Sequence, residues 1–126
     1  MVTKAAIASC CGVVLATACT NAFDCTLVET FPLEIFPVDI VSGASIADSV
    51  TATASLNGRD WAFEPYRSDP AGRLSSLWGG GGPGSYRMAV QHPRYNAWDT
   101  TQVLVLAGPG CQGFVSVALT VRLTAR

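Results

Sequence analysis

The stretch Val50-Thr-Ala-Thr-Ala-Ser-Leu-Asn-Gly-Arg-Asp-Trp-Ala-Phe-Glu64 decides the fold. Val50, Ala52 and Ala54 alternate with Thr51 and Thr53; further on, Trp61 and Phe63 alternate with Asp60, Ala62 and Glu64. A period of two places one set of side chains on each face of a strand. Between the two runs stands Asn57-Gly58, a pair that accepts the positive φ required at both central positions of a type I′ turn. The stretch therefore predicts a hairpin, with one strand over Ser49–Leu56 and the returning strand over Arg59–Glu64.

Strand signals continue on both sides of this hairpin. Upstream, Phe31 to Ile40 sets Leu33 and Ile35 on one face with Glu34 between them. Pro32 and Pro37 have no amide proton for a ladder, which predicts an edge strand or a bulge. Val41-Ser-Gly-Ala44 reads as a turn. Downstream, Pro65 to Gly82 is irregular, with Pro70-Ala-Gly72, a faint strand signal over Leu74–Trp78, and the run Gly79–Gly82, which reads as a flexible connection. Ser85–Gln91 alternates Tyr86, Met88 and Val90 against Arg87, Ala89 and Gln91, with Tyr86 placed to brace a corner. Thr100–Ala107 and Phe114–Leu123, separated by a Gly108-Pro-Gly110 turn, complete the series. No segment beyond the N-terminal run keeps the helical spacing i, i+3, i+4, i+7 over three turns. The expectation is an all-β chain: a single antiparallel Greek-key β-sandwich of about seven strands over residues 31–126.

The N-terminus has a different character. Lys4 is followed by an uncharged run from Ala5 to Ala18, too short to cross a bilayer core. A basic start, a short apolar stretch and small residues before a cut site are the parts of a secretory signal, here residues 1–18. Leu15-Ala16-Thr17-Ala18-Cys19 resembles a bacterial lipobox, which makes Cys19 the expected lipidation site and the membrane the expected partner through that anchor. Ordinary cleavage after Ala18 or Ala22 is the alternative and gives a secreted chain. Residues 19–30 read as a tether.

Removal of residues 1–18 discards Cys10 and Cys11 and leaves Cys25 and Cys111 as an even pair beyond Cys19. In an oxidising compartment that pair is expected to form a disulfide, since neither member belongs to a C-x-x-C motif or stands beside a histidine. Loss of Lys4 leaves seven arginines against nine Asp and Glu, a formal charge of −2. Such a balance gives no basic face for nucleic acid.

Sets of residues that carry chemistry are scarce. His92 is the one histidine, so no imidazole pair exists for a metal, and it reads as a turn residue; no metal or other cofactor is expected. Gly43-Ala-Ser45-Ile-Ala47 imitates a nucleophile elbow without the strand-to-helix context that exposes the serine. Gly79-Gly-Gly-Gly82-Pro-Gly84 lacks the Lys-Ser/Thr of a phosphate loop and precedes a strand. Tyr66, Trp78, Tyr95 and Trp98 flank predicted loops and are the candidate ligand contacts, because loop aromatics stack on sugar rings or anchor protein partners.

Val38-Asp39-Ile-Val-Ser42-Gly43-Ala-Ser-Ile46 resembles the opening motif of carboxypeptidase regulatory-like domains. Gly84-Ser-Tyr86-Arg-Met88-Ala-Val90 and His92-Pro-Arg94-Tyr95-Asn-Ala-Trp98 are similar to that family's next strand and turn. Cys111 to Leu123 resembles the closing strand in small bacterial lipoproteins that carry the domain. Ser45 stands where the family has proline, Arg94 where it has glycine, and Gly79–Gly82 is an insertion. The resemblance implies a transthyretin-like (prealbumin-like) sandwich, with Cys111 at the start of the last strand. It also implies an accessory role, because the related sandwiches that catalyse use histidine sets or a C-terminal Tyr-Arg-Gly-Ser signature missing here. The expected function is a non-enzymatic module of the bacterial envelope, lipid-anchored or secreted, for protein or glycan contacts. The alternatives are a small hydrolase using Ser45 or the acidic residues Asp60 and Asp69, and a structural accessory of another envelope protein.

Overall fold

The computed structural model describes residues 31–109 and 113–126. The signal at 1–18, the tether at 19–30, Cys19, and the Cys25–Cys111 pair lie outside the described residues. Eight strands form two four-stranded sheets. They are β1 (Leu33–Asp39), β2 (Thr51–Leu56), β3 (Arg59–Ala62), β4 (Glu64–Pro65), β5 (Leu77–Gly79), β6 (Gly84–His92), β7 (Tyr95–Val105) and β8 (Val117–Leu123). One sheet runs β4-β5-β1-β8 and the other β3-β2-β6-β7. The neighbours β1–β5, β1–β8 and β2–β6 are far apart in sequence, which is the Greek-key type of return.

The predicted hairpin forms as read. Asn57 and Gly58 have φ of 52° and 80°, and Leu56 to Thr53 pair with Arg59 to Ala62. The returning strand does not stay in one sheet, however. Phe63 still donates its N–H to Ala52 O at 2.9 Å, whereas Glu64 already pairs with Trp78 in the opposite sheet. Phe63 is buried at this crossing. The eighth strand thus arises because one predicted strand is divided between the two sheets.

The proline reading of β1 needs correction. β1 is an interior strand over Leu33–Ile35, with β5 on one side and β8 on the other. Pro37 lies past the end of β5, and its carbonyl accepts Ile46 N–H at 3.0 Å. Its nitrogen therefore faces the side away from β8, where no ladder donor is called for. The all-antiparallel expectation also changes at one place: β1 and β8 run parallel from Leu33↔Val117 to Asp39↔Leu123. The chain leaves β7 and re-enters at the Pro32 end, where Val117 N–H meets Pro32 O at 2.8 Å. All other strand pairs are antiparallel.

The core lies between the sheets. Leu33 and Ile35 of β1, Tyr86, Met88 and Val90 of β6, Val105 of β7, and Val121 and Leu123 of β8 are its largest buried hydrophobic members outside the prolines. Each fully buried aliphatic side chain contributes about 1.5–3 kcal/mol. The glycine run is part of this packing, not a flexible connection. A Cβ on Gly81 would stand 2.4 Å from Trp61 Cζ2, and one on Gly79 3.0 Å from the Phe63 ring. The Tyr86 hydroxyl donates to Gly82 O at 2.7 Å and accepts the Gly81 and Gly82 N–H groups at 2.9 Å. Tyr86 is the predicted corner brace, tying its side chain to backbone a few residues upstream.

Candidate functional site

Strand alternation builds an aromatic platform on the outer face of the β4-β5-β1-β8 sheet. Leu77 and Gly79 of β5 point into the core, so Trp78 points out. It stands in register between Glu64 of β4 and Glu34 of β1. Tyr66 follows β4 and donates its N–H to Ser76 O at 2.9 Å, which places it beside Trp78 on the same face. The two rings stack with centroids 3.8 Å apart and planes 3° from parallel. Phe31 meets Trp78 edge-on at 5.1 Å. The Arg67 guanidinium stands over the Tyr66 ring at 4.6 Å, and its Nη2 reaches the Tyr66 hydroxyl at 3.4 Å.

A small polar network holds the platform rigid. Arg67 Nε donates to Glu34 Oε2 at 2.7 Å, and Ser76 Oγ donates to the same oxygen at 2.7 Å. Arg67 N–H in turn donates to Ser76 Oγ at 3.2 Å. An exposed ion pair is worth under about 1 kcal/mol. Here Ser76 is fully buried and Glu34 only 16% exposed, so the carboxylate orders the cluster more than an open surface pair does.

Of the four sequence-predicted aromatics, the fold brings Tyr66 and Trp78 together and puts Tyr95 and Trp98 elsewhere, on β7. Three of the four belong to strands instead of loops: Trp78 to β5, and Tyr95 and Trp98 to β7. Trp98 pairs with Val90 and lines an open groove of about 360 Å³ between β7 and β8, with Val103, Leu104 and Leu119. The Tyr95 hydroxyl donates to Asp39 Oδ2 at 2.6 Å. This bond first, then the Ser42 and Val41 N–H groups, lowers the Asp39 pKa below the usual carboxylate value, and the carboxylate raises that of Tyr95.

His92 is not in the turn but is the last residue of β6, with 5% of its surface exposed. Its Nδ1 accepts Arg94 N–H at 3.0 Å, which fixes the neutral tautomer with the proton on Nε2. Burial, then the Arg94 charge, lowers its pKa. Ser45 Oγ donates to Leu74 O at 3.1 Å, and Asp60 Oδ1 accepts the Ser55 hydroxyl at 2.6 Å. Asp69 Oδ1 caps the turn through the Ala71 and Arg73 N–H groups, both at 2.9 Å. Among the described residues, no three His, Cys, Asp or Glu side chains gather as metal ligands.

Sequence reasoning missed Phe31, Glu34, Arg67 and Ser76. Glu34 carries a readable signal, a lone charge between Leu33 and Ile35, since alternation alone sends it to the face opposite the core. Arg67 has no comparable signal, because its position depends on a loop that returns to β5. The molecule is thus a Greek-key β-sandwich with a preordered Trp-Tyr-Arg cluster on one outer face. No protein-family model matches the chain, and no curated protein is significantly similar to it.

Proposed function

We propose that this chain is a non-enzymatic binding module of a bacterial cell envelope, exported, anchored through lipid on Cys19, and engaged with a protein partner through the Tyr66–Trp78–Arg67 platform. The single observation that carries this reading is the stack itself. Trp, Tyr and Arg are the residue types that dominate binding energy at protein interfaces, and here they are ordered before any partner arrives. The resemblance to carboxypeptidase regulatory-like domains supports an accessory role, and the two-sheet fold is compatible with it.

The same geometry favours protein over glycan. A sugar ring stacks on an open aromatic face, whereas Tyr66 and Trp78 stack on each other, with Arg67 over Tyr66 and Phe31 edge-on to Trp78. What the platform offers is ring edges, a guanidinium and the Glu64 carboxylate beside Trp78. The hydrolase reading is weaker because Ser45, Asp60 and Asp69 all hold local structure. A structural accessory of another envelope protein is one form of the same proposal, with that protein as the partner.

Photo-crosslinking in intact cells tests this function. A photoreactive residue at Glu64 is expected to give a discrete protein adduct, and one at Thr53 on the opposite sheet is expected to give none. Trp78→Ala and Tyr66→Ala should weaken the adduct by about thirtyfold in affinity, the effect of losing about 2 kcal/mol at an interface centre. Equal adducts from both faces, or an adduct indifferent to both variants, sinks the proposal. Glycan binding lost in Trp78→Ala would replace it with the glycan reading.

A further inference from the structure

A second site lies at the other end of β1, where the β6–β7 hairpin meets the residues after β8. Asn96 N–H donates to Thr124 O at 2.8 Å and Arg126 N–H to Arg94 O at 3.1 Å, which fastens the last residues against the hairpin. An open cleft of about 400 Å³ forms there, and a shallower one of about 510 Å³ adjoins it, sharing Pro93, Tyr95 and Arg126. That volume falls within the range of small-molecule sites.

Side-chain donors are concentrated in the cleft lining, and the nearby Asp39 carboxylate is taken up by the Tyr95 hydroxyl and the Val41 and Ser42 amides. Ser49, Thr51, Gln91, His92 and Arg126 bring hydroxyl, amide, imidazole and guanidinium donors, and no Asp or Glu among the described residues lines either cavity. Arg126 Nε is occupied by Tyr95 O at 3.1 Å, while its two Nη groups meet no described acceptor. His92 adds a second donor. With Nδ1 accepting from Arg94, the ring can donate only through Nε2–H. That leaves Nε2–H as the ring atom that a ligand's acceptor would meet in this cleft.

We propose that this cleft binds a small organic carboxylate, with its oxygens on the Arg126 guanidinium and His92 Nε2–H and its carbon body against Pro93 and Ala97. A guanidinium presents parallel N–H groups that match two carboxylate oxygens. The walls formed by Pro93, Ala97 and the Tyr95 ring are apolar, which suits a carbon skeleton better than an inorganic oxyanion. The site shares no residue with the Tyr66–Trp78 platform, so either can fail without the other.

The test is an NMR titration of the exported chain, following backbone amides and the His92 ring nitrogens at constant ionic strength. Acetate, propionate and benzoate are the probes, with inorganic phosphate and chloride as competing anions. Saturable shifts at Thr51, Gln91, Tyr95 and His92 Nε2 are expected from a carboxylate, with about tenfold weaker binding in Arg126→Gln. Arg126 is exposed, so this variant keeps the fold; Thr51→Val, also exposed, provides an independent loss of one donor. Absence of saturation, binding unchanged in Arg126→Gln, or phosphate or chloride giving the same shifts at equal concentration would overturn the assignment.

Discussion

Tyr86→Phe isolates one oxygen atom at the corner of the sandwich. Tyr86 has no exposed surface, and its ring meets Trp61 edge-on at 5.8 Å, a contact that phenylalanine keeps. The variant loses only the hydroxyl, with its bond to Gly82 O and the two it accepts from Gly81 and Gly82. A net hydrogen bond is worth about 0.5–1.5 kcal/mol, so three would give at most about 4.5 kcal/mol. Gly81 is exposed and Gly82 half-buried, so water recovers part of the loss and the expected cost is about 2 kcal/mol. For a domain of this size, each kcal/mol moves the midpoint by about 4–8 °C, so Tm should fall by about 8–16 °C. Urea unfolding followed by far-ultraviolet circular dichroism and by tryptophan fluorescence measures it, with the same m-value expected for both proteins. A loss below about 0.5 kcal/mol would refute the corner brace as a source of stability.

Three further outcomes follow from the same geometry. Gly81→Ala should destabilise by about 1–3 kcal/mol through overpacking against Trp61, while Gly82→Ala, whose Cβ meets nothing within 4 Å, should cost much less; equal effects in chemical denaturation would return the run to a mere connection. Tyr95→Phe removes the largest influence on Asp39, so the Asp39 pKa should rise toward the ordinary carboxylate value in a carboxyl NMR titration, and an unchanged value would contradict the bond. The His92 pKa is lowered from 6.5, so the unfolded chain takes up the proton first. Its stabilising contribution is complete above about pH 6.5 and is lost as pH falls through the lower folded value. His92→Gln should flatten the stability profile in that window, and an identical slope in both proteins would count against a neutral buried ring.

Much of the fold was legible because it rests on local rules. Asn57-Gly58 fixes a turn by its own backbone preferences, and the alternation of Tyr86, Met88 and Val90 fixes a face without reference to any other strand. What was illegible depends on partners. Pro37 reads as an edge signal only if a strand lies on the side its nitrogen faces, and the sequence cannot say that β5 stops at Ile35. Phe63 continues the alternation of Trp61, so nothing local announces that the next residue joins the other sheet. Gly79–Gly82 has the composition of a linker, yet its small size is what admits Trp61, Phe63 and the Tyr86 hydroxyl.

The candidate sites were half legible for a related reason. Aromatic residues can be picked out by type, but whether a ring face is open depends on what stacks on it. Strand β1 shows how the missing half is supplied. Glu34 near its start gathers Arg67 and Ser76 beneath the platform. At its end, Asp39 holds the Tyr95 hydroxyl and the Val41 and Ser42 amides beside the cleft. At about 3.3 Å per residue the two α-carbons are about 17 Å apart, with the side chains on opposite faces of the strand, and no described partner is common to both. A strand flanked on both sides over Leu33–Ile35 and paired along its whole length with β8 is a rigid spacer. It fixes each carboxylate where a distant loop or hairpin must come to meet it. The acidic residues of β1, which carry no reaction in either proposal, therefore hold Arg67 and Ser76 at one proposed site and Tyr95 at the other.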